Sequence, residues 1–172
     1  MSSSVVLTII SDDRPGIVQN LSRVLEAHGG NWTDSSMLSL AGKFAGILLA
    51  NVPEDRIEAF LTSLHSLQSE GMQIVAQRTD SGLPPQEMRE FRLDLVGQDR
   101  PGIVHDISEI LARHLVNVQE LETECQSASM SGETLFLAKA RMQIPPGASI
   151  EKLRQELEAL ANELMVDIRL EQ

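Results

Sequence analysis

Tyrosine is absent from this 172-residue chain, and aromatic residues make up only 3 % of it. Surfaces that bind single-stranded nucleic acid stack bases on aromatic side chains, so that class of surface is missing. Basic residues are also scarce: 14 Lys and Arg stand against 25 Asp and Glu, a formal net charge of −11. The deficit is shared, because residues 1–80 carry 5 basic and 9 acidic side chains and residues 81–172 carry 9 and 16. Neither half can neutralise a phosphate backbone or adhere to an anionic membrane, so direct binding to DNA, RNA or a lipid surface is disfavoured. A single cysteine, Cys125, leaves no internal disulfide, which fits a reducing cytoplasm. No apolar stretch approaches the roughly 18 residues of a membrane span, and the opening Met-Ser-Ser-Ser lacks the basic region of a signal peptide. The expected location is therefore the cytoplasm.

Catalytic signatures are equally sparse. His28, His65, His105 and His114 lie far apart with no carboxylate or thiol at ligand spacing, so no metal and no cofactor are expected. Cys125 sits among Glu120, Glu122 and Glu124, whose charges oppose a thiolate. Those glutamates alternate onto one strand face, which reads as a solvated face rather than an acid–base pair. A Gly-rich phosphate loop is missing as well.

What the chain does contain is a duplication. Asp13-Arg14-Pro15-Gly16-Ile17-Val18 recurs as Asp99-Arg100-Pro101-Gly102-Ile103-Val104, an offset of 86 residues, and Leu7, Ser22, Leu25, His28 and Asn31 match Leu93, Ser108, Leu111, His114 and Asn117 at the same offset. A period this long exceeds solenoid repeats and falls in the range of small domains with cores of their own. In each copy the hexapeptide follows a short apolar run and precedes an apolar series at helical spacing, which places it where a strand turns into a helix. Proline suits a first helical position, and Asp13 or Asp99 just before it can accept from the free first-turn amides. Gly16 and Gly102, with no Cβ, leave those amides open to a close neighbour. By helix propensity alone, Val at either glycine costs under about 1 kcal/mol. One such turn needs no more explanation than a good helix start; two shift the weight toward a use of the exposed helix N-terminus.

Apolar periodicity then gives an order of elements. In copy one a helix with the stripe Ile17, Val18, Leu21, Val24 and Leu25 ends at His28-Gly29-Gly30. Met37–Leu40 and Phe44–Ala50 form a hairpin through Ala41-Gly42-Lys43, and Pro53 opens a second helix carrying Ile57, Phe60, Leu61, Leu64 and Leu67. A strand over 72–78 closes the unit. Copy two repeats this with a strand at 91–97, a helix at 100–114, strands near 117–126 and 133–143, a helix after Pro145-Pro146-Gly147 and a last strand at 165–170. The predicted domains are residues 1–79 and 90–172, joined by a polar, Gly- and Pro-broken linker at 80–89. Each is βαββαβ, an α+β ferredoxin-like order with an antiparallel sheet and both helices on one face. The hairpin Gln126–Glu133 is four residues longer than its counterpart, small and polar enough to be mobile.

At these residues the chain resembles a known family. Asp-Arg-Pro-Gly-Ile at the first strand-to-helix turn, with Asn31, Asp34 and Ser35 opening the second strand, is similar to the ACT domain, a regulatory module that binds amino acids. Two units with Glu124-Cys125, Ser131-Gly132-Glu133, Leu135-Phe136 and Pro145 in the second resemble tandem-ACT proteins of the glycine cleavage repressor type. The resemblance implies units packed side by side with a small amino acid, glycine or serine-like, held between them. Carried over by position, it points to Asp13, Arg14, Pro15, Gly16, Ile17 and Asn31, and to Asp99, Arg100, Pro101, Gly102, Ile103 and Asn117. In copy two Val118, Glu120 and Leu121 replace Trp32, Asp34 and Ser35, a departure from the motif. The resemblance further implies a non-enzymatic regulator, expected as a homo-oligomer, working through a protein partner such as a DNA-binding transcription regulator. A module regulating a metabolic enzyme in trans, and a structural adaptor without ligand, are the alternatives. The chain also resembles the regulatory part of formyltetrahydrofolate deformylases, but such an enzyme needs a further catalytic domain.

Overall fold

β1 (Ser2–Asp12) alternates as a strand with one covered face must: Val5, Leu7 and Ile9 are buried, while Thr8 and Ile10 point the other way and are exposed. The computed structural model describes residues 1–79, 87–128 and 132–172. After β1 come α1 (Ile17–Ala27), β2 (Asn31–Leu40), β3 (Lys43–Pro53), a single 3₁₀ turn (Glu54–Arg56), α2 (Ile57–Ser69) and β4 (Gln73–Thr79). The second half repeats the order with β5 (Arg89–Gln98), α3 (Ile103–Arg113), β6 (Asn117–Ser127), β7 (Thr134–Ile144), α4 (Ile150–Leu164) and β8 (Val166–Glu171). The strands form two four-stranded sheets, β2-β3-β1-β4 and β6-β7-β5-β8. All neighbours are antiparallel. This is the expected ferredoxin-like α+β order, and the chain divides into two compact units, Met1–Leu83 and Pro84–Gln172.

Each unit has its own core. In unit 1 Leu7 faces Leu48 and Val5 faces Ala50 across β1 and β3, and these side chains pack with Leu21 and Leu25 of α1 and Phe60, Leu64 and Leu67 of α2. Both helices therefore cover the same face of the sheet. In unit 2 Leu93, Leu95, Ala140 and Met142 meet Ile107, Leu111, Leu153 and Leu157 in the same way. The β2–β3 loop is two residues long, Ala41 and Gly42, with φ of 50° and 77°, the pair of positive values a type I′ hairpin turn requires. Among the described residues no helix is long and apolar enough to cross a membrane.

Several sequence expectations shift in detail. β2 starts at Asn31 rather than near Met37, because pairing with β3 carries it through the polar stretch as an edge strand. Pro53 closes β3 instead of opening α2, which begins at Ile57 behind the 3₁₀ turn. Val18 and Val104, expected on the buried stripes, are 47 % and 44 % exposed, since the helices turn a narrower face to their sheets. Of the expected linker, residues 80–86 lie outside the described residues, and Arg89 already belongs to β5. The longer hairpin runs from Ser127 to Thr134, closed by Ala128 N donating to Glu133 O at 2.8 Å; its residues 129–131 lie outside the described ones.

Candidate ligand-binding site

The duplicated hexapeptide makes the same turn twice. Gly16 and Gly102 are the N-cap residues of α1 and α3, with φ/ψ of 92°/−1° and 95°/−8°. Proline fixes the preceding φ and glycine supplies the positive one, the pairing of a type II turn. Pro15 and Pro101 consequently stand one residue ahead of the cap, not at the first helical position expected for them, and the helices begin at Ile17 and Ile103. A Cβ on Gly16 would meet nothing within 4 Å, so the glycine answers a backbone requirement rather than a lack of room.

The aspartates do not cap. With glycine as N-cap, Asp13 is three residues too early to reach the second- or third-position amides, and it ties the turn to the β2–β3 hairpin instead. Its amide donates to Gly42 O at 2.9 Å and its Oδ2 accepts from Ser39 Oγ at 2.5 Å. In unit 2 the Asp99 amide donates to Thr134 O at 2.8 Å, at the start of β7. No side chain caps either helix, so the first-turn amides remain open at the positive end of the macrodipole.

The two arginines differ. Arg14 donates to the carbonyl oxygen of Glu70, the residue that ends α2, while Asn20 Nδ2 donates to Glu70 Oε2 at 3.1 Å. Its guanidinium is thus spent on the negative end of a neighbouring helix. Arg100 is exposed and engages no partner among the described residues.

Asn31 and Asn117 begin the edge strands and are exposed. Asn31 is level with Asn51, which is level with Ser4, whereas the turn follows Asp12. Eight strand residues at about 3.3 Å each put about 26 Å between the asparagine and the turn of one unit. Glu90, Gln143 and Asn117 repeat that separation in unit 2. Each unit therefore gathers its Asp-Arg-Pro-Gly-Ile residues at one end of the sheet and its asparagine at the other.

Sequence reasoning did not foresee the difference between the grooves beside the first helices. In unit 2 an apolar cavity of about 50 Å³ opens between α3 and β6, lined by Val104, Leu111, Val118, Leu121 and Phe136 among others. The unit 1 residue matching Val118 is Trp32, which packs on the core and donates from Nε1 to Ser35 Oγ at 3.1 Å. The signal was present in the 86-residue offset, as a large residue set against a small one. His28 and His114, read as helix-end residues, close α1 and α3 and reach across to the second helix of their units. His28 Nδ1 donates to Val24 O at 2.8 Å and its Nε2 accepts from Ser63 Oγ at 3.1 Å; His114 Nε2 lies 3.1 Å from Glu156 Oε1. Among the described residues no cluster of His, Cys, Asp and Glu could hold a metal ion.

Comparison with known proteins shows the fold to be shared. A solved structure from Galdieria sulphuraria superposes with a TM-score of 0.89 at 33 % identity, covering 99 % of this chain and 98 % of that one. The glycine cleavage system transcriptional repressor of Escherichia coli K12 is 25 % identical over 161 residues, 93 % of this chain and 85 % of the relative. A UPF0237 protein of Methanopyrus kandleri is 35 % identical over 75 residues, 43 % of this chain and 77 % of its own length, so it matches a single unit. The ACT domain family model matches residues 3–77 and again 92–171, one match to each βαββαβ unit, and the chain accordingly belongs to the ACT domain family as a tandem pair.

Proposed function

We propose that this protein is a cytoplasmic, non-enzymatic, amino-acid-responsive regulator of the glycine cleavage repressor kind, acting on transcription through a DNA-binding protein partner. The observation that carries the reading is the turn at Asp99, Arg100, Pro101, Gly102 and Ile103. It offers first-turn amides that no side chain caps, and its Arg100 is exposed with no partner among the described residues. Helix N-termini attract carboxylates, and arginine binds them through two parallel hydrogen bonds, so a free amino acid is the ligand chemistry that fits. The apolar cavity along α3, begun by Val104 two residues past Gly102, suits a short side chain. Asp13, Arg14, Pro15, Gly16 and Ile17 form the same backbone, but there Arg14 is committed to Glu70, whereas in the second turn Arg100 has no partner among the described residues and α3 carries the carboxylate of Asp106 in its first turn. The ammonium group is left to side-chain or carbonyl oxygens outside the turn, and Asn31 and Asn117 lie at the opposite end of the sheet from the turn of their own unit.

Size bounds the affinity. Glycine has five heavy atoms, and at a ceiling of about 1.5 kcal/mol per atom it gains at most roughly 7.5 kcal/mol, a dissociation constant of several micromolar. The net charge of −11 opposes approach to DNA, which is why the effect on transcription is assigned to a partner. A thermal-shift screen of the free amino acids tests the ligand, because binding to the folded state alone raises the melting temperature. Calorimetry on Arg100→Ala and Arg14→Ala then tests the site. Lost binding in the first with retained binding in the second is expected. Undiminished affinity in Arg100→Ala would place the ligand elsewhere, and no response to any amino acid would favour an adaptor.

A further inference from the structure

The free faces of the two sheets, turned away from the helices, carry opposite chemistry at equivalent positions. The central row of unit 1, read across β2, β3, β1 and β4, is Ser36, Ile47, Thr8 and Val75. The equivalent row of unit 2, across β6, β7, β5 and β8, is Glu122, Lys139, Asp94 and Arg169, alternating in sign from strand to strand. The next row of unit 2 adds an ion pair, Arg141 Nη2 to Glu120 Oε1 at 2.7 Å. Opposite charges on neighbouring strands stabilise a face that stays in water. Among the described residues unit 1 has one ion pair on this face, Asp12 of β1 with Lys43 of β3 at the hairpin end of the sheet, and none in its central rows. Leu38, Leu40, Ile47, Val75 and Ile10 lie on its free face with between 44 % and 72 % of their surface exposed. Among the described residues the unit 2 face has one comparable residue, Val96 at 42 %.

We propose that the free face of the unit 1 sheet is a self-association surface, on which two copies of the chain stack face to face about a two-fold axis near Thr8 and Ile47. The charge distribution selects this occupant. Each copy carries −11, so two copies meet at least cost through a face whose central rows are neutral apart from Asp34 on the edge strand. A partner recognised through charge would find little on this face to read, and a charged cover of the unit 2 kind would bury ions without partners. The layout is that of an interface, an apolar centre flanked by polar residues such as Ser4, Asp34, Gln73 and Gln77. A two-fold axis places apolar rows on apolar rows, as in sheets packed about 10 Å apart. Four strands about 4.8 Å apart and four rows about 6.8 Å apart give roughly 500 Å² per copy, about 1,000 Å² in all, the lower end of specific interfaces. The dimer is therefore weak and concentration-dependent, and it does not rest on the ligand reading above.

Sedimentation of the full chain from about 1 to 500 μM tests the proposal. The mass should move from 18.9 kDa toward twice that value, and association should strengthen with salt, since salt screens the net repulsion and leaves apolar contact intact. The double variant Ile47→Glu/Val75→Glu should dissociate at least tenfold more readily, with circular dichroism showing an unchanged fold; unit 2 carries charges at these same positions without loss of its sheet. As a second measurement, Thr8→Cys in a Cys125→Ser background should give a covalent dimer with a short bismaleimide, and Asp94→Cys in that background should not. A wild-type chain monomeric across the range would overturn the proposal. So would a double variant that associates as wild type does, or cross-linking through Asp94→Cys instead of Thr8→Cys.

Discussion

Replacing Gly16 by Ala isolates the backbone requirement of the duplicated turn. The added methyl meets no atom within 4 Å, so packing neither opposes nor favours it, and the whole effect comes from φ of +92°. A left-handed backbone costs an L-residue roughly 1–2 kcal/mol, and a β-branched residue such as Val more, so the estimate of under about 1 kcal/mol for Gly16→Val based on helix propensity is too small. In a unit of this size, 1–2 kcal/mol lowers the melting temperature by roughly 4–16 °C. Gly147 supplies the control: its Cβ would also enter open space, but its φ lies outside the left-handed range. There Ala should stabilise by about 0.4–1 kcal/mol, through the entropy it removes from the unfolded chain. Urea denaturation of Gly16→Ala, Gly102→Ala and Gly147→Ala measures all three against wild type. The first two should lose stability in their own units and the third should gain. Equal stability of Gly16→Ala and wild type, or a loss in Gly147→Ala as large as at Gly16, would refute the reasoning.

Phe60 is fully buried between α2 and its sheet, with the His28 ring edge-on at 5.8 Å, so Phe60→Ala should cost about 3–5 kcal/mol by denaturation. Arg14→Ala should destabilise unit 1 by about 1 kcal/mol through loss of the bond to Glu70 O, while Arg100→Ala should stay within about 0.5 kcal/mol of wild type. Lys43, through a hydrogen bond and its charge, holds the Asp12 carboxyl below its ordinary value. A lowered folded-state pKa adds stability above the unfolded pKa that disappears as pH falls through the folded one. Lys43→Ala should therefore raise the Asp12 titration midpoint seen by NMR, with little change in stability at neutral pH because both side chains are exposed. An unmoved midpoint would show that the pair does not persist in solution.

The order of elements was legible because both units bury only one sheet face. Val5, Leu7 and Ile9 alternate, Ile17, Leu21 and Leu25 recur at helical spacing, and each signal names its own element. The starts of α1 and α3 were misplaced by two and three residues for a local reason: Pro-Gly satisfies both a first helical turn and a type II turn, and sequence alone does not choose between them. The left-handed φ of Gly16 and Gly102 makes that choice. The partner of Arg14 was illegible for a different reason, since the Glu70 carbonyl is 56 residues away and arrives only when α2 packs beside α1. The separation of Asn31 from its own turn follows from topology. β2 runs antiparallel to β3 and starts at the far end of the sheet, which the spacing of 31 from 16 does not reveal.

What distinguishes the two units is then a matter of side chains on a shared backbone. The turns agree to within a few degrees, with φ of 92° and 95°, because the hexapeptide dictates them locally. The environment of each turn is set by residues outside the hexapeptide. Glu70 takes up Arg14, whereas Arg100 has no partner among the described residues; Trp32 fills the groove that Val118 leaves open; Thr8 and Ile47 make neutral the centre of a sheet face that Asp94 and Lys139 make ionic. All three differences run the same way. Unit 1 has its cation bound, its groove filled and its free face apolar, which suits an element that holds an assembly together. Unit 2 has a cation without a partner among the described residues, a groove open and its free face charged, which suits an element that meets a small polar ligand. On the two proposals above, the duplication separates association from sensing. The separation has a consequence that a single-unit design could not give: abolishing association through Ile47 and Val75 should leave the amino-acid response of the Arg100 turn in place, read as an unchanged thermal shift, and a lost shift in the folded double variant would refute the division of labour.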